Sequence, residues 1–139
     1  MSLDVTLKRK KWISYDEGKT HTEEWEDVYD ANITHNLGEM AGEAGIYEAL
    51  WRPYRLKDDY VAGGDYNAEF YFESNQTTQA GELIGLLSDG LAALKARPEH
   101  FKTFSAANGW GMYEHFVPFV EKYLDACIEN PYAEVSVSR

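Results

Sequence analysis

The chain has a single cysteine, Cys127, in 139 residues. One thiol closes no intrachain disulfide, so a disulfide scaffold is excluded and a reducing compartment is the default expectation. Positive charge is also scarce, with 13 Lys and Arg against 24 Asp and Glu, a net charge of −11. A general nucleic-acid binder needs a basic face, and this balance argues against one. No apolar run approaches the ~20 residues of a membrane span. The opening MSLDVTLKRKK lacks the apolar core of a secretory signal. The expectation is a cytoplasmic protein with no membrane partner.

Catalytic signatures are missing too. His21, His35, His100 and His115 show no metal-site spacing, so no metal is expected. AGGD lacks the lysine and the strand–loop–helix setting of a phosphate loop. No serine sits in a nucleophile elbow. Cys127 falls on the apolar side of a helical stretch and reads as buried and inert. No cofactor is called for.

What is present suits one ordinary globular domain over residues 1–139, with 44% hydrophobic and 27% charged residues. SLDVTL alternates Leu3, Val5 and Leu7 with polar residues and predicts a half-buried strand. The basic run LKRKKWI and the acidic run HTEEWEDVYD follow, separated by a turn signal near Gly18. Their charges predict a hairpin in which residues 5–13 pair antiparallel with residues 22–30, residues 8–11 opposite residues 23–27. Residues 8–30 carry five basic and seven acidic groups, so most of the excess negative charge lies elsewhere.

The period then changes. Ile33, Leu37, Met40 and Ala44 share one helical face. Asn32 or Thr34 would cap that helix, and Asn36 with Glu39 has capping-box spacing. IYEALW adds a short helical turn that stops near Arg52, before Pro53. Residues 57–76 are rich in aromatics, turn at Gly63-Gly64, and read as a hairpin or flap. Leu83, Leu87, Leu91 and Leu94 form a helical stripe capped by Thr77 or Thr78 and stopped by Pro98. A short turn follows that proline. Phe116, Phe119, Val120, Tyr123, Leu124 and Cys127 mark a third helix, with Pro118 early in it. AEVSVSR alternates as a last strand. The predicted class is α+β: a small, mostly antiparallel sheet of N-terminal strand, charged hairpin and C-terminal strand, packed against three main helices.

Three segments combine amides, aromatics and cations. NITHN supplies Asn32, Thr34, His35 and Asn36. LWRP supplies Trp51 and Arg52. NGWGMYEH supplies Asn108, Trp110, Tyr113 and His115. Aromatic faces stack on flat ligands, Arg52 is a planar cation, and helix starts attract anions. If the segments converge, Gly109 and Gly111 would place Trp110 beside Trp51 and Arg52, with Tyr113 lining the same cavity. Each residue also has a plain structural use, as helix cap, core anchor or ion-pair partner.

SLDV, ANITHNLGEMAGEAGIYEALWRP, AGELIGLLSDGLAALKARPEHF, NGWGMYEHFVPFVEKYLDAC and the terminal VSR also resemble a family of small proteins of tailed phages and prophages. The resemblance covers most of the chain outside residues 55–76 and brings no transferable chemistry. It implies a setting, an accessory phage protein in the cytoplasm of a bacterial host. The first expectation is a non-enzymatic binding protein that sequesters a small nucleotide-like ligand of host immunity. An inhibitor of a host defence protein is the alternative, and an enzyme on a nucleotide-like substrate, with His35 or His115 as base, is the third. An exposed aromatic patch favours the inhibitor, and a closed polar pocket favours the other two. Homo-oligomerisation stays open.

Overall fold

The computed structural model describes residues 2–56 and 78–139, and of His35 the backbone alone. The expected flap at 57–76 lies outside the described residues. Strands β1 (Ser2–Ile13), β2 (Thr22–Thr34) and β3 (Glu134–Ser138) form an antiparallel sheet in the order β2-β1-β3. The helices are α1 (Gly38–Glu43), α2 (Tyr47–Trp51), α3 (Ile84–Ala96), α4 (Pro98–Lys102) and α5 (Tyr113–Glu129). This is the expected α+β class. Among the described residues no helix is long and apolar enough to cross a membrane.

Alternation on β1 decides the layering. Leu3, Val5 and Leu7 are fully buried, while Asp4 and Thr6 face the other way. Val135 and Val137 of β3, and Tyr29, Ala31 and Ile33 of β2, pack on the same side. Against them lie Leu83, Leu87 and Leu94 around α3 and Phe116, Val120 and Tyr123 of α5, all buried. Each such side chain contributes about 1.5–3 kcal/mol of burial. The other side of the sheet is polar and open to water, a common arrangement for antiparallel sheets.

The charged hairpin pairs as its charges predict. Lys8 faces Asp27, Arg9 faces Glu26, Lys10 faces Trp25 and Lys11 faces Glu24. Arg9 and Lys11 both bridge Glu26, and Lys10 bridges Glu23 at 3.1 Å. Val5 pairs with Ala31, one residue beyond the expected span. In the turn, the Asp16 carboxylate accepts from both the N–H and the hydroxyl of Thr20, which holds its carboxyl below the usual range.

Four expectations need correction. The N-terminal strand and the first hairpin strand are one continuous β1. The helix expected from residue 32 starts later, because β2 runs to Thr34; Ala31 and Ile33 meet the core as strand residues opposite Val5 and Leu3. An apolar residue at 33 followed by one at 37 suits either period, so spacing could not separate them. Asn36 likewise heads no capping box, since the amino-terminal cap of α1 is Leu37, with no side-chain bond. Finally, Thr78 does not cap the third segment, and Thr77 lies outside the described residues. Gln79 takes the cap of the 3-10 turn Ala80–Leu83, where its N–H donates to Glu82 Oε2 at 2.6 Å. The buried Thr78 uses its carbonyl to accept from Val135 N–H at 2.8 Å, which ties this entry to β3.

One irregularity aims the hairpin. Leu7 pairs with Tyr29, but Lys8 pairs with Asp27, so Val28 has no opposite number. The extra residue shifts the alternation of β2 by one step. Beyond it Glu24 and Glu26 share the side of Arg9 and Lys11. Trp25 moves to the solvent side with Lys10 and Trp12.

Candidate functional site

The loop between α4 and α5 is built by local hydrogen bonds. Asn108 Oδ1 accepts from Trp110 N–H at 3.0 Å, an Asx turn. Gly109 N–H donates to Ala106 O, and Ala106 N–H to Gly111 O, both at 3.2 Å. The loop is then fastened to the end of β2, where Asn36 Nδ2 donates to Trp110 O at 3.0 Å. Gly111 permits this seat. Its φ is +102°, and a Cβ there would come within 2.8 Å of Asn36 Cβ.

The backbone of Trp110 is therefore fixed, while its indole is 68% exposed. It lines an open groove of about 620 Å³ with Ser2, Asn32, Ile33, Thr34, Asn36 and Asn108. Asn32 and Thr34 stand on the solvent side of β2 and do not cap a helix. With Asn36 Nδ2 and Asn108 Oδ1 engaged, Asn36 Oδ1 and the Asn108 amide nitrogen retain hydrogen-bonding capacity. Among the described residues the lining carries hydroxyls, amides and an indole, and no charge. Such a surface suits a planar ring with donors and acceptors on its edge better than a phosphate.

Five of the ten candidate residues thus gather here: Asn32, Thr34, Asn36, Asn108 and Trp110. Trp51 does not, being 2% exposed and stacked on Tyr47 with centroids 5.3 Å apart. Trp51, Arg52 and Tyr113, expected to share a cavity with Trp110, do not line this groove. Trp51 is buried because α2 is enclosed on more than one side, the consecutive Ala49, Leu50 and Trp51 all being buried. Arg52 Nη1 donates to Tyr54 OH at 2.9 Å. Tyr113 joins two helices: its hydroxyl donates to Leu94 O at 2.8 Å, and its N–H donates to Ser105 Oγ at 3.0 Å. His115 is exposed on α5, outside the groove. The backbone of His35 lies between Thr34 and Asn36.

A second concavity, of about 510 Å³, escaped the sequence reading. Lys8, Arg9, Lys10 and Trp25 line one side of it and the 129–134 turn the other. Trp25 is 51% exposed under the Lys10 ammonium, 5.2 Å from its ring, and Tyr132 is 84% exposed. Nearby, Trp12 stacks on His21 with centroids 4.1 Å apart. The signal was the LKRKKWI run itself, four consecutive basic residues beside an exposed tryptophan. Cys127 is buried, and burial pushes its thiol up to about 12, which suppresses the reactive thiolate. Comparison with protein-family models, with curated proteins and with solved structures found no match.

Proposed function

We propose that the protein is a binding protein that holds a planar polar ring, of the nucleobase kind, against Trp110. The observation that carries this reading is the combination of a fastened backbone and an exposed indole at the mouth of an amide-lined groove. A water-facing indole on a fixed loop is pre-organised for stacking, and base–aromatic stacking contributes about 1–3 kcal/mol per base. Asn36, Asn108 and Asn32 supply edge contacts that distinguish one ring from another. The neutral lining favours the base of a nucleotide-like ligand over its phosphate. In the setting that the phage resemblance implies, the ligand is a nucleotide signal of host defence and the protein sequesters it. That setting rests on the sequence segments alone.

The test is a thermal-shift and tryptophan-fluorescence titration with nucleosides, mononucleotides and cyclic dinucleotides. A ligand at a hundred times its dissociation constant adds about 2.7 kcal/mol of stability. A parent nucleoside should retain much of the shift. Trp110→Ala should remove it while leaving the unliganded melting temperature nearly unchanged. No shift with any of these compounds, or an undiminished shift in Trp110→Ala, overturns the proposal. Conversion of the ligand during the titration would move the reading to an enzyme.

A further inference from the structure

We propose that the edge of β1 at residues 9–13 takes up an extended acidic segment of a partner protein as an added strand. β3 covers this edge of β1 only at residues 4–8, with Glu134 opposite Lys8. β1 continues to Ile13, bonded to β2 on its other edge alone. Among the described residues nothing pairs with this last stretch, so alternate N–H and C=O groups point into a lane that no described residue fills. The second concavity lies at the start of that lane, between residues 8–10 and the 129–134 turn. An added strand would continue the line of β3, stopping where the turn closes it off.

The lane selects charge. Arg9, Lys10 and Lys11 follow one another along it and Lys8 stands at its mouth, in a molecule of net −11. Lys8 has no ion-pair partner among the described residues. β2 is the internal precedent, because it is an acidic strand held by this same basic strand through ion pairs. Trp25 and Tyr132 flank the entrance and offer apolar surface to a residue between the partner's carboxylates. A second copy of this chain fits poorly. Pairing β1 with β1 about a two-fold axis sets lysines against lysines. Pairing β1 with β2 of another copy is head to tail, giving a ring or a filament in place of a two-fold dimer. The occupant is therefore a different protein, bound by strand addition with main-chain bonds for affinity and carboxylates for specificity.

The experiment uses the full chain, isotopically labelled, and the acetylated, amidated peptide TEEWEDVY as probe. Amide hydrogen exchange at residues 9–13 is followed by NMR as peptide is added. Alternate amides there should gain protection. Methylating alternate peptide nitrogens keeps every side chain but blocks the ladder, and should weaken binding at least about tenfold. Replacing the carboxylates by lysines should abolish it. Lys8→Gln should weaken it several-fold without lowering the melting temperature. Unchanged exchange at millimolar peptide overturns the proposal, and the lysines then only guard an exposed edge against aggregation. Equal binding of the methylated peptide also overturns it, as does concentration-dependent self-association through this edge, which would make the occupant a second copy.

Discussion

The base of the hairpin, residues 2–7 with 29–34, and its arm, residues 8–13 with 22–27, belong to the same pair of strands. In the base, register is held by burial: Leu3, Val5 and Leu7 are sealed under helices. In the arm, nearly every side chain meets water, and register is held by ion pairs between a basic and an acidic run. A slip of one residue would turn the whole apolar set of the base to solvent, but would cost the arm only charge complementarity. The base is thus the fixed half and the arm the presenting half. Among the described residues the base carries an uncharged groove beside Trp110 and the arm a charged lane beside Trp25.

The comparison breaks if the halves respond alike to truncation. Leu7→Ala should cost about 2–5 kcal/mol in urea denaturation. Trp12→Ala, an equal or larger deletion on the arm at 62% exposure, should stay within about 0.5 kcal/mol. Equal losses would mean that the arm is packed. Next in size is Gly111→Ala, where a disfavoured backbone angle and the approach to Asn36 combine. It should cost about 1–3 kcal/mol and loosen the Trp110 groove, while amide shifts in the arm stay unchanged.

Tyr123→Phe has the opposite sign. Its hydroxyl is buried with no hydrogen-bond partner among the described residues, so removing it should stabilise by up to about 1 kcal/mol. The two halves should also titrate at opposite ends of the pH scale. Burial raises the pKa values of Tyr29, Tyr123 and Cys127 under the base, the last to about 12. Folding therefore favours their protonated forms. That contribution is full below their ordinary values and drains away as pH climbs toward the folded ones, so stability should fall between about pH 9 and pH 12. Native Cys127 should resist alkylation until unfolding. In the arm, Arg9 and then Lys11 hold the Glu26 carboxyl below its usual range. Its contribution is present above that range and is lost as pH falls through the lowered value. Because the Glu26 carboxylate is open to water and salt, Glu26→Gln should give the smallest effect: faster amide exchange in the arm at low salt and no change in melting temperature. A clear loss of melting temperature would show that the arm supports the core.

Much of this arrangement was legible in the chain. The hairpin register was readable because charge marks both strands, and the helical stripes because leucine and phenylalanine recur at one period. The end of β2 was not, because Ile33 fits strand and helix alike. Three tryptophans also defeat inference from residue type. Trp51 and Trp110 sit in similar local company, yet one is sealed by α2 and the other is held out by Gly111 and Asn36. Trp25 is assigned to the wrong face by any unbroken alternation, since one unpaired residue, invisible in composition, changes the count. The amides of the candidate segments line one groove, whereas Trp51, Arg52 and Tyr113 do not line it, because the positions of rings and cations depend on packing.

Val28 has a mechanical consequence as well. Its backbone is the surplus in the ladder, but its side chain packs against the core. It works as a pinned joint: the bend and extra twist there set the bearing of the arm relative to the body. Deleting Val28 would leave every other cross-strand pair able to form, with the same residues on each face, while the arm straightened. Direction and chemistry are thus separable in this protein. The arm could be re-aimed by a change of one residue while its charges, its indoles and the core beneath them kept their own partners.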